Sequence, residues 1–201
     1  ISAVACLPSE GANPVTDSAV ELSSCAQEGG PLWGPICRLT YEPVAAGAPV
    51  EVDIEDLAPG KLKVVEWRGK PVWILRRDEQ TLAELEEIVG NLSDPDSEVI
   101  EQQPAYAQNR HRSIRPDVLV VLGVCTHLGC APTKEFEKGA STGLGDDWMG
   151  GFFCPCHGSK FDLSGRVYKN VPAPTNLVVP PHSYVTENRI LIGVDETEAT
   201  G

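Results

Sequence analysis

Two six-residue motifs concentrate the side chains of this chain that could bind a metal. CTHLGC runs from Cys125 to Cys130, and CPCHGS runs from Cys154 to Ser159. Together they hold four of the seven cysteines and two of the four histidines in the 201 residues. Each motif also contains glycine, which allows a backbone to turn tightly around a bound group. The motifs therefore predict two loops that close around a shared centre.

The candidate ligands are one cysteine and one histidine from each motif. They are Cys125 with His127, and Cys154 with His157. Two thiolates and two imidazoles can bind a zinc ion tetrahedrally. The same set can hold a 2Fe-2S cluster in which the cysteines bind one iron and the histidines bind the other. The chain has no Cys-x-x-Cys pair of the kind that zinc ribbons usually contain, so zinc is the weaker interpretation.

Composition and charge limit the function classes. A length of 201 residues and a hydrophobic content of 41% are typical of one globular domain with a real core. The formal net charge of -13 argues against nucleic acid as the main partner, because phosphate backbones are bound by basic surfaces. We therefore expect no nucleic-acid partner.

Residues 1–44 differ in composition from the rest of the chain. They are rich in Ser, Gly, Ala, Pro and Glu, and they show neither helical nor strand periodicity. This composition predicts a poorly ordered amino-terminal arm. Cys6, Cys25 and Cys37 lie in this arm without metal-ligand spacing, and we expect them to be incidental.

From Pro49 onward, short apolar runs predict antiparallel strands. KLKVVEW and PVWILR, joined by RGK, predict one hairpin, and SYVT and ILIGV, joined by ENR, predict another. DVLVVLGV predicts a buried strand that leads directly into Cys125. The segment from Glu79 to Leu92 places its apolar residues on one face and predicts one short helix. The pattern favours an all-β antiparallel sandwich with the two motifs on loops at one end.

The two motifs resemble those of the Rieske iron-sulfur family, in particular the disulfide-bearing iron-sulfur subunits of ubiquinol-cytochrome c reductase. GAPVEVDIEDLAPGKL, WRGKPVWILRR, YAQNRHRSI and PAPTNL are similar to proteobacterial members over about residues 45–195. The resemblance implies a Rieske-like domain over residues 45–201. A cluster-binding subdomain at about residues 118–174 would be inserted at one end.

The resemblance also implies a cofactor and a reaction. A 2Fe-2S cluster would have Cys125 and Cys154 on its inner iron and His127 and His157 on its outer iron. His157 would hydrogen-bond the ubiquinol hydroxyl at the membrane site of cytochrome b, so that the electron and the proton leave together. The electron would then pass to a membrane-bound cytochrome c. The chain would thus be a subunit of a quinol-cytochrome c oxidoreductase, a translocase.

Further residues near the cluster take roles from the same resemblance. Cys130 and Cys156 would form a disulfide that clamps the two loops. The hydroxyl of Ser159 would donate to a cluster sulfide and raise the midpoint potential. Leu128 would cover the cluster tip as an apolar side chain, and residues 172–174 would form a rigid loop over the far side.

Two features depart from the family. Phe161 occupies the position where many respiratory members have a tyrosine that bonds a ligand cysteine sulfur, which predicts a lower potential. The chain also shows no run of about 18 to 20 apolar residues and no arginine pair near its start, so the family's transmembrane anchor is not recognisable. Attachment to the inner membrane, with the head domain on the periplasmic side, is implied by the resemblance alone.

Other functions are compatible with parts of this pattern. A Rieske ferredoxin or oxygenase module would use the same ligands but usually lacks the extra cysteine pair. The small subunit of a periplasmic oxidase of the arsenite oxidase type keeps a similar disulfide and needs no quinol site. A structural zinc module is the remaining alternative. His111 and His182 have no ligand partner nearby in the sequence, and we expect them to be structural or exposed.

Overall fold

A computed structural model describes residues 47–195. The predicted arm over residues 1–44 lies outside this range, as do Cys6, Cys25 and Cys37. The described residues form nine β-strands and one α-helix, with four short 3-10 turns. All strand pairs are antiparallel, which confirms the predicted all-β class with one short helix.

The strands pair into three sheets of three strands each. In chain order the strands are β1 (Val50–Asp53), β2 (Leu62–Trp67), β3 (Lys70–Arg76), β4 (Val118–Leu122), β5 (Thr133–Glu135), β6 (Gly151–Cys154), β7 (Ser159–Phe161), β8 (His182–Thr186) and β9 (Arg189–Ile192). The sheet orders are β1-β9-β8, β2-β3-β4 and β5-β6-β7. The third sheet contains the second cysteine motif and lies within the predicted cluster-binding segment.

Both predicted hairpins are confirmed. Strands β2 and β3 are joined by Arg68 and Gly69, whose φ angles are 52° and 68°. Two successive residues with positive φ form the turn that matches the twist of a tight hairpin. Strands β8 and β9 form the second hairpin, which carries a bulge between Tyr184 and Thr186.

Strand β4 lies at the centre of the packing because all five of its residues are buried. One face of the β2-β3-β4 sheet packs on the first sheet, and Val72, Val120 and Ile190 belong to that core. Residues on the other face pack in a second core that also contains Cys125 and Cys154. Cys125 is therefore anchored in the interior by β4, which precedes the first motif, and Cys154 by β6, whose last residue it is.

The helix is shorter than the sequence predicts. Helix α1 spans Glu79–Glu87, and the predicted continuation to Leu92 is a single 3-10 turn at Val89–Asn91. Gly90 lies in that turn and has a low helix propensity, while Leu92 instead makes an isolated bridge with Tyr168. Within residues 47–195, none of the helices has the length and apolar character of a membrane-spanning segment.

Candidate metal centre

The two motif loops close by the same hydrogen bond. In the first loop the carbonyl of Cys125 accepts the amide of Gly129 at 3.0 Å, and in the second the carbonyl of Cys154 accepts the amide of Gly158 at 2.9 Å. The φ angles of the two glycines are 82° and 79°, a conformation that favours glycine. Each candidate ligand cysteine thus begins a tight turn that closes at a glycine four residues later.

A disulfide joins the two loops. It links Cys130 and Cys156, whose Cα atoms are 6.7 Å apart. The sulfur of Cys154 lies within 4.8 Å of both disulfide sulfurs. A metal ligand must be a thiolate, and the two linked sulfurs are not. The disulfide is therefore a clamp on the loops, and the free cysteines are the candidates for metal binding.

The two free thiols are buried side by side. Cys125 is 2% exposed and Cys154 is 1% exposed. Burial raises the pKa of the Cys125 thiol, the amide of His127 opposes this shift, and a hydrogen bond with Cys154 adds to it. Two thiolates in such a place need a bound cation, since a coordinating metal deprotonates a thiol outright. The pair fits two ligands of an iron centre.

The two histidines lie nearer the surface. The rings of His127 and His157 meet edge to face, with centroids 4.8 Å apart. His157 is exposed, whereas His127 is half-buried. Nδ1 of His127 is buried and has no hydrogen-bond partner among the described residues. Buried polar atoms are almost always paired, so this nitrogen fits a metal ligand. Inner sulfurs and outer imidazoles together fit a 2Fe-2S cluster.

Ser159 ties the second motif to residues 172–174, the proline segment. Its side chain is fully buried, and its Oγ accepts the backbone N–H of Ala173 at 3.0 Å. The hydroxyl also acts against the rise in the Cys125 pKa that burial causes. Ala173 is 5% exposed between two exposed prolines, so the proline segment is held down at its middle residue.

Thr126 makes a contact that the sequence analysis missed. Its Oγ1 donates to the carbonyl of Thr175 at 2.7 Å. The contact ties the first motif to the residue that directly follows the proline segment. Ser159, in the second motif, holds the middle residue of that segment. A threonine inside CTHLGC carries no sign of a partner 49 residues away, so only the fold could reveal it.

Leu128 and Phe161 occupy opposite environments. Leu128, the residue after His127, is 71% exposed and is therefore not a core residue. Phe161 is fully buried and pairs across the sheet with Phe152. It shares a core with both free cysteines, so this position beside the site holds a ring without a hydroxyl.

Comparison with known families identifies the kind of site. The family described as "Rieske [2Fe-2S] domain" matches residues 49–181. The chain belongs to the Rieske family. It is 58% identical over 155 residues to the ubiquinol-cytochrome c reductase iron-sulfur subunit of Allochromatium vinosum, which covers 77% of this chain and 74% of that protein. These matches confirm the predicted 2Fe-2S cofactor. They also confirm the predicted role as an electron-transfer subunit of an oxidoreductase.

More distant proteins are also similar to this Rieske chain. It is 44% identical over 151 residues to the cytochrome b-c1 complex subunit Rieske-1 of Nicotiana tabacum, covering 75% of this chain and 50% of that protein. The chain thus spans about half the length of that relative. A solved structure titled "Hyperthermophilic respiratory Complex III" is similar at a TM-score of 0.43 and 24% identity, covering 76% of this chain and 83% of that one. Because the two sequence relatives are named as subunits of ubiquinol-cytochrome c reductase and of the cytochrome b-c1 complex, the ferredoxin, arsenite oxidase and zinc alternatives are not favoured.

A set of buried arginines lies around the turn that follows β7. Arg77, Arg112 and Arg166 are at most 2% exposed. Arg166 pairs with the fully buried Asp162 at 2.7 Å, and Arg77 donates to Ser164 Oγ at 2.7 Å. These contacts fix the turn that follows β7. Sequence analysis missed them because arginine is rarely fully buried and no local pattern marks the exceptions.

The remaining histidines are accounted for structurally. His182 is 1% exposed, and its Nδ1 donates to the carbonyl of Pro180 at 2.9 Å. Burial lowers the pKa of His182 and also that of the half-buried His111. Both fit the expected structural role rather than metal binding.

Proposed function

We propose that this Rieske chain is the electron relay of a membrane-bound ubiquinol-cytochrome c reductase. Cys125, His127, Cys154 and His157 would hold a 2Fe-2S cluster. It would supply one-electron chemistry between ubiquinol at cytochrome b and a membrane-bound cytochrome c, at a midpoint potential of roughly -150 to +300 mV for imidazole-ligated clusters. The observation that carries the proposal is the division of the site into two buried thiols and two histidine rings near the surface.

The ligand roles follow from this division. Cys125 and Cys154, which are buried, would hold the inner iron. His127 and His157 would hold the outer iron, and the buried Nδ1 of His127, which has no hydrogen-bond partner among the described residues, is available for it. The disulfide keeps the loops together around all four side chains. The motif glycines let both loops turn back at the same point.

His157 handles the proton. It is the more exposed of the two rings, so its outward nitrogen can accept a hydrogen bond from a quinol hydroxyl. That nitrogen, bearing no proton before the transfer, takes up the hydroxyl proton as the electron leaves the quinol, and it releases the proton after the electron has moved on.

Leu128 forms the apolar part of the contact with cytochrome b. It is 71% exposed next to His127, and an apolar side chain at the tip favours docking over hydration. The complex lies in the inner membrane, with this head domain on the periplasmic side. The disulfide supports that side, because disulfides persist in oxidising compartments.

Single substitutions test the ligand set. Cys125→Ser, His127→Gln, Cys154→Ser and His157→Gln should each abolish the reduced Rieske electron paramagnetic resonance signal and reduce the iron content of the purified chain. His111→Gln is the matched control and should leave both unchanged. A variant of any proposed ligand that keeps full iron and an unaltered spectrum would remove that residue from the set.

The quinol step needs a test that leaves the cluster intact. Leu128→Asn in the assembled complex should slow reduction of the cluster by ubiquinol without shifting its midpoint potential. Val64→Asn is the control, because Val64 is also an exposed apolar residue, at 49%, but lies on β2. Equal rates in wild type and Leu128→Asn would contradict the docking role.

A further inference from the structure

A cavity of about 200 Å³ opens at the start of α1. None of its lining residues belongs to either cysteine motif. One part of its wall is apolar and is formed by Leu75 of β3, Phe136 and Leu163. A cavity of roughly 150 Å³ can hold benzene, so this one has room for a small ring with a polar substituent.

The rest of the wall is strongly charged. Three cations line the cavity, Arg76, Arg77 and Lys138, against the single carboxylate of Asp78. Lys138 also pairs with Glu84 at 2.6 Å, so the lining together with this partner has a formal excess of one positive charge. This sign is opposite to that of the whole chain, whose net charge is -13. An anion is thus favoured here although most of the protein repels one.

Neither arginine forms an ion pair within residues 47–195, although the carboxylates of Asp162 and Asp117 act against the effect of burial on the pKa of Arg77. Arg77 is 2% exposed, and its terminal nitrogens donate only to neutral groups, including Ser113 Oγ at 2.8 Å and Ser164 Oγ at 2.7 Å. Arg76 reaches one carbonyl, that of Ile54, at 3.5 Å. The Nε atoms of both arginines are buried without a hydrogen-bond partner among the described residues. Burial lowers the pKa of Arg77 to about 10, so it stays charged at neutral pH.

The acidic groups nearby are already engaged. The carboxylate of Asp78 accepts the amide of Thr81 at 2.7 Å and caps α1. Hydrogen bonds with Thr81 lower the pKa of Asp78. Lys138 contacts Glu84 at 2.6 Å at the partly exposed edge of the cavity. Neither carboxylate forms an ion pair with Arg76 or Arg77, so the excess charge of the cavity is left for a ligand.

We propose that this cavity binds a small organic carboxylate with an apolar ring or branched body. The carboxylate would pair with Arg76 and Arg77, since guanidinium groups bind carboxylates through charge-assisted hydrogen bonds. The body would lie against Leu75, Phe136 and Leu163. An inorganic anion would leave the apolar wall in contact with water. A neutral ring would leave the arginine charges unpaired.

The experiment uses the full chain with its cluster, and benzoate as the probe. Benzoate is titrated into the oxidised, isotope-labelled protein while backbone amide shifts are recorded by nuclear magnetic resonance. We expect saturable shifts at Gly60, Thr81 and Leu163. Benzamide, a neutral molecule of the same shape, should bind at least about tenfold more weakly, as should benzoate to Arg76→Gln, since each loses a charge-assisted contact.

Matched variants separate binding from folding. Lys138→Gln should weaken benzoate binding, whereas Lys134→Gln and Arg189→Gln, which change exposed cations outside the cavity, should not. Unchanged iron content and electron paramagnetic resonance of each variant exclude misfolding. The proposal is overturned if benzamide binds as well as benzoate, if inorganic phosphate binds equally tightly, or if shifts at these amides do not saturate.

Discussion

Ser159 Oγ accepts the backbone N–H of Ala173 at 3.0 Å, in a site where both residues are buried. Because the N–H is the donor, the proton of the hydroxyl remains available to the sulfur of Cys125. Burial raises the pKa of Cys125, and the Ser159 hydroxyl acts in the opposite direction. One side chain thus holds the proline segment and stabilises negative charge on sulfur.

Ser159→Ala should lower the midpoint potential of the cluster. Donation to sulfur stabilises the reduced, more negative state, and the variant loses that donor. The expected fall is roughly 40 mV, taking about 1 kcal/mol for one hydrogen bond and about 59 mV for each tenfold change in a one-electron equilibrium. Potentiometric titration measures it, with Ser93→Ala on the exposed surface as control. An unchanged potential in Ser159→Ala would contradict the donor role.

Phe161→Tyr should raise the midpoint potential. Phe161 is fully buried in the core that contains Cys125 and Cys154, so a new hydroxyl there can donate to a ligand sulfur. The expected rise is of the same size, about 40 mV for one hydrogen bond. Phe136→Tyr, a partly buried change that contacts Phe152, is the control. A fall or no change in Phe161→Tyr would sink this explanation.

Asp162→Asn should strongly destabilise the fold. The carboxylate binds Arg166 at 2.7 Å with both side chains fully buried, and it also accepts the amides of Ser164 and Arg166. Removing one member of a buried pair costs about 3 to 5 kcal/mol, which for a chain of this size is a fall in melting temperature of about 10 °C.

The comparison is Glu51→Gln, which breaks the half-exposed pair with Arg189. Exposed pairs contribute less than about 1 kcal/mol. Thermal unfolding followed by far-ultraviolet circular dichroism measures both variants. Equal melting temperatures for Asp162→Asn and Glu51→Gln would show that the buried pair adds nothing.

His182 should make stability fall in acid. Burial lowers its pKa, while the carbonyl of Pro180 and the charge of Asp195 act in the opposite direction. The unfolded chain therefore binds the proton first, near the ordinary value of about 6.5. Stability is fully present above that pH and is lost as the pH falls below it.

Melting temperatures between about pH 8 and pH 5 test this sign. His182→Gln should show a shallower decline than wild type, and part of the decline should remain because burial also lowers the pKa of His111. His111→Gln supplies the companion measurement. Parallel profiles for wild type and His182→Gln would exclude His182 as a source of the decline.

The sequence predicts the site best where the chemistry is local. Spacing alone brings out the Cys-His pairs, because ligands within a few residues of each other leave a short, recognisable pattern. Strand β4 and the two hairpins are equally local, since alternation and turn residues define them. The end of α1 is less well predicted, because Leu92 leaves the helix to pair with Tyr168, a residue far along the chain.

Long-range polar contacts are what the sequence could not reveal. The bond from Thr126 to Thr175, and the buried arginines around Asp162, depend on segments that only the fold brings together. Strand β5 is similar, since its three residues are partly or fully exposed and are recognisable as a strand only by pairing with β6. The cavity at the start of α1 also combines residues from separate elements.

The most direct test of the central claim is a potentiometric titration of the purified chain, followed by electron paramagnetic resonance and repeated across pH. A quinol-oxidising Rieske centre with two imidazole ligands predicts a mixed-ligand signal in the reduced state. It also predicts a positive midpoint potential that falls as the pH rises, because reduction and proton binding are coupled. A low midpoint that does not change with pH would contradict quinol oxidation, and a metal-bound chain without any signal would contradict the cluster.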